Sequence, residues 1–219
     1  SPYLGFTYAI TQDINAYASY SDIYQPQEQY DITGQYLAPT KGKNTEAGIK
    51  VQWLDKSLLT TFAYFTAEQE NLASYAGINP DNGQFYYYGV DVESTGFEVE
   101  VTGQVTENLD LVLGYTNIEI EDTDGQDANT WAPRDYVNFS MNYSVPALPA
   151  LKVGLNGRWQ SKTKNTDYNV TQDSYFLLNA YASYDISDSL TLKANLNNVT
   201  DEKNIISLHS SFYYAAPIN

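Results

Sequence analysis

The sequence predicts an all-β fold, an antiparallel transmembrane β-barrel meander of about ten strands, and two observations predict it. The first is strict alternation of apolar and polar residues. Leu151, Val153, Leu155, Gly157 and Trp159 alternate with Lys152, Gly154, Asn156, Arg158 and Gln160, and Leu190, Leu192, Ala194 and Leu196 alternate with Thr191, Lys193, Asn195 and Asn197. Successive side chains of a strand point to opposite faces, so each segment has one apolar and one polar side. The second is the order of the connections. Short turns and long, tyrosine-rich loops alternate along the chain, the pattern of a barrel with tight turns at one end and long loops at the other. A soluble β-sandwich, the competing all-β architecture, has no reason to sort connection length by strand parity.

The elements follow in order. Tyr3–Ile10 is the first strand, closed by the polar turn Thr11-Gln12-Asp13. In Ile14–Ile23, Ile14, Ala16, Ala18 and Tyr20 share one side and Asn15, Tyr17, Ser19 and Ser21 the other. A long connection over Tyr24–Lys43 leads to Asn44–Leu54, with Ala47, Ile49, Val51 and Trp53 outward and Glu46, Gly48, Lys50 and Gln52 inward. Asp55-Lys56-Ser57 turns the chain into Leu58–Glu68, and a Gly- and Tyr-rich loop is expected over Gln69–Val92. Phe97, Val99, Val101 and Val105 then face out, with Glu98, Glu100, Thr102 and Gln104 facing in. The turn Thr106-Glu107-Asn108 precedes the outward set Leu109, Leu111, Leu113 and Tyr115, and Glu121–Pro133 forms the next loop. Arg134–Val145 carries Val137, Phe139, Met141, Tyr143 and Val145 outward, and Pro146-Ala147-Leu148-Pro149 makes a turn where proline's missing N–H costs no ladder bond. The Leu151 strand, the loop Ser161–Ser174, and the pair Tyr175–Ile186 and Leu190–Asn198 across Ser187-Asp188-Ser189 complete the set.

Charge decides which face is which. Glu46, Lys50, Glu98, Glu100, Lys152, Arg158 and Lys193 all fall on the polar sides. A lipid-facing Arg or Lys at mid-bilayer costs about 2–4 kcal/mol, so the polar sides line the lumen. An open sheet of this size would leave two edges of unpaired backbone groups in lipid, at a cost on the order of tens of kcal/mol. It must close on itself or be completed by further strands.

Composition agrees. The 219 residues include 21 tyrosines, whose apolar ring and polar hydroxyl suit a membrane–water boundary. No apolar run is long enough for a transmembrane helix. Without cysteine there are no disulfides or thiolate metal sites. A formal charge of −16 argues against nucleic acid as a partner. Ser1 directly precedes a strand-like run, which predicts either removal of a leader or a longer parent protein.

Tyr17-Ala18-Ser19-Tyr20-Ser21-Asp22-Ile23-Tyr24-Gln25-Pro26-Gln27, followed by Lys43-Asn44-Thr45-Glu46-Ala47-Gly48-Ile49-Lys50, resembles the late strands of TonB-dependent siderophore receptors. Gly96-Phe97-Glu98-Val99-Glu100, Trp131-Ala132-Pro133-Arg134 and Asn195-Leu196-Asn197-Asn198-Val199-Thr200-Asp201-Glu202-Lys203 continue the resemblance in the family's order. It is greatest to the hydroxamate and pyoverdine branch, the ferric-coprogen and ferripyoverdine receptors. The resemblance implies a 22-stranded barrel filled by an N-terminal plug. Residues 1–219 would then be the C-terminal portion of the barrel, without plug or last strand, since Ala216-Pro217-Ile218-Asn219 stands where members have Pro-Arg-Asn and a final strand. It further implies the bacterial outer membrane as location and a ferric siderophore as ligand. Outer-membrane lipid and lipopolysaccharide become the surroundings, and the TonB complex is contacted through an N-terminal region outside this chain. No cofactor is implied, because the iron travels inside the siderophore.

Phe85, Tyr86, Tyr87 and Tyr88 in the second long loop, with Trp131 in the third, are the expected ligand-binding residues, since their rings can stack on a chelate and their hydroxyls can bond its carbonyls. Tyr24, Tyr30 and Tyr213 are weaker candidates. The alternative is an aromatic girdle at the outer interface, or loops packed on one another. Asp122, Asp124, Gly125 and Asp127 resemble the start of a calcium loop but lack the distal glutamate, which predicts an acidic turn instead. Asn138, Asn142 and Asn198, which head Asn-X-Ser/Thr triplets, fall within predicted strands, so those matches, like the one at Asn169, are read as chance. No catalytic motif stands out, and His209, the single histidine, reads as a surface residue. The expectation is a receptor segment and not an enzyme. Two other readings of the same strands are a self-contained ten-stranded outer-membrane protease or lipid-modifying enzyme, and a surface adhesin.

Overall fold

The computed structural model describes residues 2–166, 168–205 and 208. Ser1, His209, Tyr213 and Ala216–Asn219 lie outside them, so the expectations placed there are not addressed. Among the described residues every regular element is a strand. They are β1 (Tyr3–Ala9), β2 (Ile14–Gln25), β3 (Thr40–Trp53), β4 (Leu58–Ile78), β5 (Phe85–Thr106), β6 (Leu109–Asp122), β7 (Asp135–Ser144), β8 (Leu151–Gln160), β9 (Thr163–Asn165), β10 (Val170–Gln172), β11 (Tyr175–Ser187) and β12 (Leu190–Leu196). Ten of these form one antiparallel meander in the order β1-β2-β3-β4-β5-β6-β7-β8-β11-β12, and β9 pairs only with β10.

Register carries the alternation read from the sequence across the whole sheet. Ala16 lies opposite Ile49, Ile49 opposite Phe62, Phe62 opposite Val99 and Val99 opposite Tyr115. The row continues through Val137, Trp159 and Phe176. On the other side Ser19 lies opposite Glu46 and Thr61 opposite both Lys50 and Glu100, while Arg158 lies between Asn138 and Leu177. Leu155 and Trp159 therefore face out while Glu98 and Glu100 face the lumen, as expected. β11 and β12 pair from Ala180–Leu196 to Ser187–Leu190, as the short Ser187–Ser189 turn requires.

A single sheet has no interior of its own, and the burial shows it. Large apolar residues of the outward rows, such as Phe62, Tyr64 and Leu155, are exposed, and among the described residues no large side chain is fully buried. In water such a surface would be far larger than a soluble monomer tolerates; in a bilayer it is the solvent-matched face. β1 and β12 each pair on one side only, and all their residues are exposed. A self-contained ten-stranded barrel requires β1 to pair with β12, and that pairing is absent among the described residues.

Aromatic rings lie over glycines on facing strands. A Cβ on Gly48 would meet a Tyr17 ring carbon at 2.6 Å and would also collide with the Phe62 carbonyl oxygen; Gly154 stands in the same relation to Tyr181, and Gly157 to Phe139. Tyr17 is held there by donating from its hydroxyl to Glu46 Oε1 at 2.5 Å, with Lys50 Nζ 4.9 Å from its ring centre. Gly48→Val is expected to lower the urea midpoint of the refolded barrel, and adding Tyr17→Ala should restore little of it, because the clash with the β4 backbone remains. Equilibrium unfolding monitored by tryptophan fluorescence checks both.

The main departure from expectation lies at the long-loop end. Gln69–Val92 was expected to be loop, yet β4 runs to Ile78 and β5 starts at Phe85, leaving a short turn between. The strands outlast the bilayer, so outside it they no longer need an apolar side and the periodic signal disappears. For the same reason β2 and β3 extend into Tyr24–Lys43, and β6 extends to Asp122. The Ser161–Ser174 connection contains the small β9–β10 hairpin. Asn198 falls beyond the end of β12, where its side chain accepts from Glu202 N at 3.0 Å and donates to Glu202 O at 3.0 Å.

Candidate functional site

The long-loop end is dominated by the β4–β5 hairpin. Register shifts between Gln69 and Leu72, and between Tyr75 and Gly77, each add one residue to β4, while β5 runs on without interruption. The first shift places Asn71 at a φ of 59°, with its N–H donating to Asp91 Oδ1 at 2.7 Å. The second uses Gly77 at a φ of 146°, with the Tyr86 ring lying against it. At the tip Asn79 N donates to Gln84 O and Gly83 N to Asn79 O, both at 2.8 Å.

The β2–β3 loop is bound to this hairpin. Gln27 Nε2 donates to Asn71 O at 2.6 Å, Asn79 Nδ2 to Ile32 O at 2.8 Å, and Tyr87 N to Tyr30 O at 2.8 Å. Within the loop Tyr30 and Tyr36 stack with ring centres 4.5 Å apart. Asp31 organises its turn by accepting from Thr33 Oγ1 at 2.6 Å, Thr33 N at 2.8 Å and Gln35 N at 3.0 Å. The Thr33 hydroxyl, then the Gln35 N–H, hold the Asp31 carboxyl below its usual range. A lowered folded pKa gives stability that is present above the ordinary carboxylate value of about 4 and is lost as pH falls through the lower folded value. Protection of the Thr33 and Gln35 amides from hydrogen exchange should therefore be flat between about pH 5 and 8 and collapse below about pH 4. Asp31→Ala should remove it at every pH.

Register divides the four expected ligand-binding residues of β5 between the two sides of the sheet. Because β5 alternates without a break, Tyr86 and Tyr88 continue the side that carries Gly96, Glu98 and Glu100 lower down, the lumen side. Phe85 and Tyr87 continue the outward side, where both rings meet Tyr75 edge-on at 5.7 and 6.0 Å. Tyr88 is 53% exposed and Tyr86 half-buried. Trp131 is in the β6–β7 connection. Its neighbour Thr130 is fastened to the β9–β10 hairpin, donating from Oγ1 to Lys164 O at 2.7 Å and accepting from Lys164 N at 2.9 Å. Asp122 accepts from the N–H groups of Asp124 and Gln126, and Asp127 pairs with Arg134 at 3.8 Å. That segment is an acidic turn, as expected. Among the described residues no acidic or histidine cluster could hold a metal ion.

The lumen wall contributes groups not singled out from the sequence. Arg158 lies 5.9 Å from the centre of the Tyr175 ring, and the Tyr175 hydroxyl donates to Gln160 Oε1 at 2.8 Å. At the opposite edge of the sheet Tyr3, Asn15, Tyr17, Ser19, Glu46 and Lys50 line a recess of about 650 Å³. These groups offer aromatic faces and hydrogen-bonding polar ends to the lumen. The signal for Tyr175 was its parity with Arg158 across β8 and β11, which pairing Gln160 with Tyr175 makes visible.

Residues 1–199 match the family described as TonB dependent receptor-like, beta-barrel. The ferripyoverdine receptor of Pseudomonas aeruginosa is 34% identical over 236 residues, covering 100% of this chain and 29% of that protein. The ferric-pyoverdine 358 receptor of Pseudomonas putida is 36% identical over 228 residues, covering 100% of this chain and 28% of its own length. The crystal structure of the outer-membrane ferripyoverdine receptor of Pseudomonas aeruginosa bound to ferripyoverdine superposes with a TM-score of 0.81 at 33% identity, over 93% of this chain and 29% of that one. The chain thus spans less than a third of the length of these relatives.

Proposed function

Because this chain belongs to the TonB-dependent receptor-like β-barrel family, proteins of the bacterial outer membrane, we propose that it is the C-terminal portion of the barrel of a receptor that imports ferric siderophores. In that reading the remaining strands and the plug belong to a longer protein, which also contacts TonB, the source of energy for uptake. The chelate brings the iron, and the barrel holds no cofactor of its own. The observation that carries the reading is similarity along the whole chain to two receptors named for ferric pyoverdines. The two-faced wall supports it, with apolar rows toward lipid and Tyr86 and Tyr88 on the side of the mouth. A hydroxamate-bearing chelate of the pyoverdine type is the substrate class this favours.

The test is iron-limited growth of a Gram-negative host lacking its own hydroxamate and pyoverdine receptors, expressing the longer protein and supplied with pyoverdines, ferrioxamines or catecholate chelates. Growth is expected with a hydroxamate-bearing chelate and should vanish when TonB is deleted. No growth on any such chelate, or growth independent of TonB, would refute the reading.

A further inference from the structure

The charges on the lumen side are sorted by strand. Glu46 on β3 and Glu98 and Glu100 on β5 face the lumen in one half of the sheet, with Lys50 among them. In the other half, formed by β7, β8, β11 and β12, the lumen-side charges are Arg158, Lys152, Lys193 and Asp185. Lys152 and Lys193 are exposed and stand on either side of Ser183, about 10 Å apart across two strand spacings. Arg158 lies about 20 Å further toward the long-loop end of β8, at about 3.3 Å per residue. Asp185 is below them at the short turn, where it accepts from Thr191 Oγ1 at 2.6 Å. Between Arg158 and the two lysines the wall carries no carboxylate. Asn138, Asn142, Asn156, Asn179 and Tyr181 line it there, with Asn179 Nδ2 donating to Asn156 Oδ1 at 2.9 Å. In a chain of formal charge −16, none of these three cations forms an ion pair among the described residues.

We propose that this half of the wall is the track along which an anionic ferric chelate passes from the long-loop end to the short-turn end, with Arg158 as its first cationic contact and Lys152 and Lys193 as its last. The inference rests on the import reading and adds to it the charge of the cargo and the side of the lumen it follows. A ferric ion held by three singly charged hydroxamates is neutral, so a catecholate donor or a free carboxylate makes the complex an anion. Lipid outside the barrel is a low-dielectric wall, which focuses the field of the lumen charges inward. Glu46, Glu98 and Glu100 repel such an ion from the other half of the sheet. Passage also requires that each station hold the ion weakly enough to release it. Two cationic stations separated by neutral, hydrogen-bonding amides meet that requirement, and a continuous row of cations would not.

The test uses the longer receptor in cells and a pyoverdine-type ferric chelate in two forms, one with a free side-chain carboxylate and one with that group amidated. Binding is measured in cells without TonB, and the initial uptake rate in cells with it, at saturating chelate and equal surface levels. Lys152→Gln/Lys193→Gln is expected to slow uptake of the free acid about tenfold and of the amide at most about threefold, with binding of both unchanged. Lys152→Arg/Lys193→Arg should keep the native rates. Should the double variant not assemble, Lys152→Gln and Lys193→Gln are measured singly, and each should slow the acid about twofold more than the amide. Equal slowing of the two forms, the result if the lysines hold carboxylates of the plug, overturns the proposal, as does unchanged uptake of the acid. Uptake of neither form by the native receptor refutes the import reading itself, and this inference with it.

Discussion

Phe62→Arg is expected to destabilise the folded barrel by about 2–4 kcal/mol, whereas Thr61→Arg, one residue away, should change stability by much less. Phe62 stands near the middle of the lipid-facing part of β4, between Ile49 and Val99, with its ring 6.2 Å from that of Phe97. A guanidinium there has only hydrocarbon around it and must stretch toward an interface several residues away. Thr61 points to the lumen between Glu100 on β5 and Lys50 on β3, so an arginine at that position stays in a polar wall, with the Glu100 carboxylate as partner on one side offsetting the like charge of Lys50 on the other. The comparison is internally controlled, since both variants add the same side chain to the same strand. Urea unfolding in lipid vesicles measures the two costs. If Phe62→Arg cost no more than Thr61→Arg, the assignment of faces would be wrong throughout, because register ties every strand to its neighbours.

How much of this was legible in the sequence follows from where the alternation has a physical cause. Within the bilayer each strand must keep apolar residues on one side and can accept polar ones on the other, so Leu151–Gln160 shows its strand and its facing without any structure. The end of the hydrocarbon is equally readable in hindsight, because the outward side of β6 changes from Leu109, Leu111 and Leu113 to Asn117, Glu119 and Glu121. Beyond that line nothing forces a period of two. Gln69–Ile78 and Phe85–Val92 are strands because their backbones pair and the β2–β3 loop holds them, contacts between segments far apart in sequence that no local pattern records. The aromatic run was therefore recognised as a cluster by composition, while its division into two faces depended on knowing that it is a strand.

That division gives the largest expected effect on binding. In the longer receptor, Tyr86→Ala/Tyr88→Ala is expected to weaken ferric chelate binding by about tenfold to a hundredfold. Each lost aromatic contact is worth about 0.5–1.5 kcal/mol beyond its buried area, and each 1.4 kcal/mol is a factor of ten. Phe85→Ala/Tyr87→Ala removes the same number of rings from the same four residues but from the outward side, and should leave chelate affinity within about twofold of native. Trp131→Ala reports on a third position, fastened to β9–β10 through Thr130 and independent of the hairpin's parity. Tyr86 also lies against Gly77, so its removal could loosen the bulge and act indirectly. Tyr86→Phe keeps the ring and loses only the hydroxyl, and it separates the two effects by retaining most of the affinity if stacking is what matters. Equilibrium binding of a pyoverdine-type ferric chelate to cells with equal surface levels of each variant is the measurement. Equal losses from the two double variants would mean that the hairpin acts as one unit without facing. Unchanged affinity in Tyr86→Ala/Tyr88→Ala would return all four rings to an interfacial role, and move recognition to the lumen wall near Arg158 and Tyr175 or to parts of the receptor outside this chain.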